Sequence, residues 1–245
     1  MALTFNIAKC VAWAPGLESE QDWHLWQCAQ KPIATELNLP PLSVIPAMQR
    51  RRLSPFAKVA LHCAMQASGE LQANVPFVFS SRHGDLHRTT SLIENIAQAN
   101  ALSPTQFGLS VHNAAAGLFS IFSGNRAPLS AIAAGEHSFM MGLLDCVAKL
   151  HVNNLSHILY VYCDLQVPDC YRPYVADDQA IGIGIGILLE AGEGQTIYSL
   201  NPSDSSMQAS FTKSQAFDFM HFMLSKQNSW STKINKQDWQ LKRSI

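Results

Sequence analysis

A chain of 245 residues is long enough for one large α/β domain or two small ones. At 47% apolar and 14% charged residues it has the means to bury a sizeable core and to cover part of its surface with a partner. The formal net charge of −1 argues against nucleic acid or an anionic membrane as an electrostatic partner, and no run approaches the ~20 apolar residues of a membrane helix. The opening MALTFNIAKCVAWAPG has no basic region ahead of a long apolar run, so no signal peptide is expected and the cytoplasm is the expected compartment. Cys10, Cys28, Cys63, Cys146, Cys163 and Cys170 show neither CxxC pairing nor metal-ligand spacing, and read as free, mostly buried thiols. No metal or cofactor is expected.

In chain order, Leu3 to Ala14 alternates and then runs apolar, as an opening strand does. Glu18 to Gln30 fits a short helix with Trp23 and Trp26 on one side, followed by a loop rich in proline. Ser54 is a suitable N-cap with Pro55 at the first helical position, and Phe56, Val59, Ala60 and Cys63 then form a stripe at helical spacing. Pro76 to Ser80 is a buried strand that delivers a polar loop holding Arg82, His83 and Asp85, either a ligand site at a strand end or a solvated loop. Helices are expected over Leu86–Asn100, after Ser103–Pro104, over Asn113–Phe122 and over His137–Leu150. Strands are expected over Ser130–Gly135 and His157–Asp164.

Ala180 to Glu190, AIGIGIGILLE, alternates Ile and Gly in period two. That pattern marks a strand with one face closely approached by another layer, and it contains no GxGxxG or GxxxxGK to cradle a phosphate. Thr196–Leu200 fits a further strand and Lys213–Lys226 an amphipathic helix, and the last fifteen residues read as a loosely held polar tail. Strands alternating with helices imply an α/β architecture with a mainly parallel central sheet.

Phe107 to Ala148 reads FGLSVHNAAAGLFSIFSGNRAPLSAIAAGEHSFMMGLLDCVA. This resembles the nucleophile region of β-ketoacyl synthases of the thiolase-like fold: an Ala-rich helix (Asn113–Phe122), a turn (Gly124–Pro128), a small-residue strand (Ser130–Gly135) and a buried helix (Ser138–Leu150). AIGIGIGILLEA resembles the glycine-rich strands closing the first half of that fold. RRLSPFAKVAL is similar to a segment of short ketoacyl-synthase-like proteins of bacterial aryl-polyene clusters, where such subunits act as chain-length-factor partners.

The resemblance spans residues 45 to 192 and implies a thiolase-like layered α-β-α architecture, truncated relative to full ketosynthases. Residues 1–200 would be the N-terminal half domain and 201–245 a short C-terminal helix and tail. The roughly 45 residues after Leu200 are too few for a second half with its two catalytic histidines, and its loss is expected to leave apolar surface open.

Aligned without gaps from Pro128, the position of the acyl-accepting cysteine falls on Glu136. A condensing enzyme needs a thiolate at a helix N-terminus. A carboxylate cannot hold a thioester there, so Glu136 reads as a plug accepting hydrogen bonds from the first turn. The rival is a malonyl-carrier decarboxylase or a thioester hydrolase with Glu136 as general base, for which His112 and His137 are the neighbouring histidines. His112 reads more simply as a capping or interface residue, His137 as an ion-pair or packing residue, and Cys146 as core.

By resemblance, the expected function is a non-catalytic, chain-length-factor-like partner of a β-ketoacyl-[acyl carrier protein] synthase in aryl-polyene-type biosynthesis. It would form a heterodimer with the synthase, with Gln106, Phe107, Ser110 and Asn113 near the seam and the acyl tunnel. Arg50, Arg51 and Arg52 are either a docking patch for an acidic acyl carrier protein or solvated surface.

Overall fold

The computed structural model describes residues 3–175, 181–191, 196–203, 214–234 and 236–244. Ala180 and Lys213, the expected starts of a strand and a helix, lie outside them. Among the described residues eight strands form one sheet: β1 Leu3–Trp13, β2 Phe77–Ser80, β3 Leu129–Ile132, β4 His157–Asp164, β5 Ile183–Glu190, β6 Ile197–Ser203, β7 Ser229–Ile234 and β8 Gln237–Ser244. Their order is β3-β2-β4-β5-β1-β6-β8-β7. Only β3–β2 and β2–β4 are parallel, and the remaining pairings are antiparallel. The expectation of a mainly parallel sheet is therefore corrected to a mixed one. Period-two patterning locates a strand and its faces but not its direction.

The helices are α1 Glu20–Gln27, α2 Ala47–Arg50, α3 Pro55–Ser68, α4 Leu86–Ala97, α5 Pro104–Gly108, α6 Ala114–Ser123, α7 Ser138–Val152 and α8 Gln215–Leu224. They lie in layers on both faces of the sheet, each face carrying its own apolar core. On one, Phe77 and Phe79 of β2 with Leu159, Val161 and Cys163 of β4 pack against α3 and α6. On the other, Tyr160 of β4 and Ile183, Ile185, Ile187 and Leu189 of β5 pack against α7 and α8. Each fully buried large apolar side chain in these layers is worth ~1.5–3 kcal/mol.

Local chemistry sets the elements that carry the site. Ser54 Oγ accepts from the Ala57 N–H at 3.1 Å, and Pro55 occupies the first turn of α3. The helix then lies on β5, where the glycines leave room. A Cβ on Gly186 would stand 2.3 Å from the Cys63 carbonyl oxygen, and one on Gly184 would stand 2.5 Å from Val59 Cγ1. Close approach, inferred from the Ile–Gly alternation, is thus made by α3. On the opposite face α7 is seated just as tightly, since a Cβ on Gly142 would stand 2.6 Å from the Tyr160 ring and 2.7 Å from Ser80 Oγ. Ser80 and Tyr160 share a hydrogen bond of 2.8 Å beneath it.

One expectation about the end of the chain is overturned. The supposed tail forms β7 and β8, with β8 paired on both sides, to β6 and to β7. Thr232, Ile234 and Leu241 are buried there. The α7 face is covered by α8. Phe217, Phe219 and Phe222 of α8 are buried against it, with the Phe219 and Phe139 rings 5.1 Å apart. The large apolar side chains that do stand exposed include a set on α4, α5, α6 and β3.

Candidate functional site

Three places on the molecule carry the residues singled out by sequence. The first is the loop after β2. Asp164, at the end of β4 and only 8% exposed, organises it: Oδ1 accepts from Ser81 Oγ at 2.8 Å and from the His83 N–H at 3.0 Å, and Oδ2 accepts from the Arg82 N–H at 2.8 Å. Gly84 turns the chain in the left-handed region at φ +64°, its N–H donating to Ser81 Oγ at 2.7 Å. Asp85 then caps α4 and pairs with Arg88 Nε at 3.1 Å. The loop is a buried, cross-linked structure and not a solvated one. Asp164 is the loop-organising residue that sequence reasoning missed; its only signal was a carboxylate ending an otherwise apolar strand.

The second place is the junction of β3 and α7. Gly135, at φ +59°, opens a single 3₁₀ turn that places Glu136 ahead of the helix. The Glu136 side chain is 64% exposed and faces His137 Nε2 at 3.5 Å. It does not plug the first turn of α7. That role falls to Gln215, the first residue of α8 and only 5% exposed: its Oε1 accepts from the Met140 N–H at 3.3 Å, while Nε2 donates to the Lys233 carbonyl at 2.7 Å and to Thr232 Oγ1 at 3.3 Å. Ser138 Oγ accepts from the Ala134 N–H at 2.9 Å and donates to the Gly135 carbonyl, closing the turn from within.

A small cavity of about 30 Å³ remains between this junction and the β2 loop, with His83, Glu136, Tyr162, Asp164 and Gln215 on its wall. Burial lowers the His83 pKa, opposed by the Asp164 carboxylate and aided by Arg82, and pushes the Tyr162 hydroxyl well up. His112 does not line the cavity. Its Nε2 lies 3.0 Å from the Ser81 carbonyl and its ring rests on Phe79, so it pins the β2 loop to the start of α6 and does not cap the helix. His137 is bound to Glu136 and lies 3.5 Å from Gln215 Nε2. The two histidines therefore do not converge on a substrate position. Cys146 is fully buried in α7 and its thiol is pushed well up by that burial, as a core residue. Among the described residues no three His, Cys, Asp or Glu side chains gather as metal ligands.

The third group lies on α4, α5, α6 and β3. Phe107 is 61% exposed, and Ile96, Val111 and Ile121 stand exposed on the neighbouring helices and turn. Gln106 accepts a hydrogen bond from Arg88, Ser110 Oγ donates to the Phe107 carbonyl at 2.8 Å, and Asn113 is the N-cap residue of α6. Among the described residues β3 is an edge strand of the sheet that pairs only with β2, leaving its other backbone edge without a strand partner there. Apart from this group, Arg51 and Arg52 are exposed beside α2, while Arg50 donates to the Leu42 carbonyl at 3.2 Å. No helix among the described residues is long and apolar enough to cross a membrane.

No curated protein matches the chain. Among solved structures it resembles a chain of the ketosynthase ApeO in complex with its chain length factor ApeC from Xenorhabdus doucetiae, at TM-score 0.82 and 28% identity, covering 98% of this chain and 99% of that one. The ishigamide ketosynthase/chain length factor matches at TM-score 0.58 and 15% identity over 81% of this chain and 67% of the other. The ketosynthase from module 1 of the bacillaene synthase of Bacillus amyloliquefaciens FZB42 matches at TM-score 0.59 and 10% identity, over 83% of this chain and 47% of that one. These likenesses establish the thiolase-like ketosynthase fold read from the Phe107–Ala148 region. The family model described as "Beta-ketoacyl synthase, N-terminal domain" matches residues 23–242, so the chain belongs to the β-ketoacyl synthase N-terminal-domain family.

Proposed function

We propose that this chain is a non-catalytic, chain-length-factor-like partner of a β-ketoacyl synthase, stabilising the synthase and shaping its acyl tunnel in aryl-polyene-type biosynthesis. The observation that carries the reading is the exposure of Ile96, Phe107, Val111 and Ile121 on α4, α5, the turn before α6 and α6, together with β3, whose outer edge has no partner among the described residues. Large exposed apolar side chains and an open strand edge are both liabilities for a monomer, and both are what a stable partner covers. The likeness to a chain of the ApeO–ApeC complex, spanned almost end to end, favours a partner of that kind over a full synthase. Gln106, Phe107, Ser110 and Asn113 would lie at the seam with the synthase and its tunnel. Arg51 and Arg52, with Arg50 behind them, would draw an acidic acyl carrier protein towards the complex by charge. Such a partner works where the synthase works, in the cytoplasm.

The rival reading, Glu136 as the base of a decarboxylase or hydrolase, is disfavoured by its setting. A general-base carboxylate at neutral pH needs a desolvated site and an oriented water, and Glu136 projects 64% exposed beside a histidine.

The test is co-expression with the neighbouring ketosynthase and copurification through a tag on one subunit. A stable one-to-one complex, whose condensing activity depends only on the partner's cysteine, is the expected result. Failure to copurify, or release of CO₂ from malonyl carrier protein by this chain alone that is lost in Glu136→Ala, would overturn the reading.

A further inference from the structure

A second cavity, of about 210 Å³, lies between the first turn of α3 and the face of α6. Its apolar wall is made by Leu53, Phe56, Leu109, Val111, Leu118 and Phe122. A cavity of ~150 Å³ already accepts benzene, so this one has room for a single aromatic ring with a short substituent. Its polar rim is cationic in balance, with Arg52 and Arg88 set against Asp85. The Arg88 and Asp85 side chains are 11% and 8% exposed and paired at 3.1 Å, so they largely neutralise each other. Among the described residues no carboxylate pairs with Arg52, so its charge is unmatched.

An apolar slot with one unmatched guanidinium at its rim selects for a particular ligand. Arg52 is exposed and hydrated in the free chain, so an uncharged hydrocarbon gains nothing from it, whereas a carboxylate finds in it a planar, two-pronged donor. We propose that this cavity binds a small aromatic carboxylic acid, its ring between α3 and α6 and its carboxylate on Arg52. The cavity is lined by this chain, with Val111 shared with the face proposed for the synthase, and its test reads binding by the chain without the synthase. Failure of the partner reading and failure of this one are therefore separate results.

The experiment titrates the full chain with 3-phenylpropionate and, in parallel, with its neutral isostere 3-phenylpropanamide, by calorimetry or ligand-observed NMR. The acid is expected to bind saturably, one per chain, with a Kd on the order of millimolar or tighter, and at least fivefold more tightly than the amide. Arg52→Gln, a change at an exposed side chain, is expected to erase the preference for the acid. Ala114→Leu, which narrows the cavity wall, is expected to weaken both ligands. Absence of saturable binding by the unaltered chain overturns the proposal. So does equal binding of acid and amide, or a preference that survives Arg52→Gln. Should Ala114→Leu fail to fold, the acid–amide pair and Arg52→Gln still decide the matter.

Discussion

The Gln215 carboxamide accepts a hydrogen bond from the backbone N–H of Met140 at 3.3 Å, across 75 residues of chain. This contact stops the start of α7 with a side chain from α8, and the same amide reaches Lys233 and Thr232 on β7. In a condensing enzyme the N–H groups of that first turn serve the reacting thioester. Here one of them is committed to holding the C-terminal segment in place. Under the proposed non-catalytic role, this turn has a carboxylate ahead of it at position 136 and an amide upon it from position 215.

Gln215→Ala should cost about 1–3 kcal/mol of stability, because it leaves a buried N–H and a buried carbonyl without partners. Urea denaturation followed by circular dichroism measures it. A loss below 0.5 kcal/mol, on the order of an ordinary surface change, would mean that the amide is not the plug.

Glu136→Ala should change stability by no more than about 0.5 kcal/mol, as expected of an exposed side chain away from buried networks. Copurification with the synthase should be unaffected. The same denaturation series checks the first point and a tagged pull-down the second.

Glycine at two positions of β5 should not be equally replaceable. Gly186→Ala drives a methyl group into the Cys63 carbonyl of α3, which is backbone and cannot swing aside, whereas Gly184→Ala meets the Val59 and Cys63 side chains. Overpacking of this kind costs about 1–3 kcal/mol. Gly186→Ala should sit at or above the top of that range and Gly184→Ala below it, read as the difference in denaturation midpoints.

Burial lowers the pKa of His83, so the folded protein prefers the neutral ring. The group therefore contributes stability that is present above the unfolded histidine pKa of ~6.5 and lost as pH falls towards the depressed folded value. Melting temperature should decline on acidification from neutral pH, and His83→Gln should flatten part of that decline. An unchanged pH profile in the variant would exclude the effect.

Ile121→Lys places a charge on a side chain that is 74% exposed in the chain alone and faces the partner in the proposed complex. Stability of the isolated chain should stay within about 0.5 kcal/mol, while recovery of the synthase in a pull-down should fall sharply.

How much of this was legible in the residues differs from element to element. Ser54–Pro55 and the Ile–Gly alternation of β5 each carry their own physical reason, a cap and a close approach, and both were read correctly. Strand direction was not legible, because β1 and β5 look the same locally whether they run parallel or antiparallel. β7 and β8 escaped notice because SWSTKI and QDWQLKRS bury only alternate, often polar side chains such as Thr232, and take their cover from α8. At the site, Glu136 was placed correctly ahead of its helix. The plug was assigned to the wrong residue, since nothing local distinguishes Gln215 from any polar residue opening an apolar helix. Asp164 and Gln215 act on partners more than 70 residues away in the chain, and such pairs become visible only when the strands are laid side by side.

The order of the sheet has a consequence for biosynthesis. β1 lies between β5 and β6, and β8 between β6 and β7, so residues 3–13 wait for partners made some 170 residues later, and residues 237–244 must slot between strands already synthesised. Until residues beyond 234 emerge, β6 and β7 are not joined by their common neighbour, and the nascent chain presents bare backbone edges. Folding of this sheet is therefore expected to be slow and to finish only after that stretch has left the ribosome. During that interval the chain is most exposed to aggregation and has most need of a chaperone.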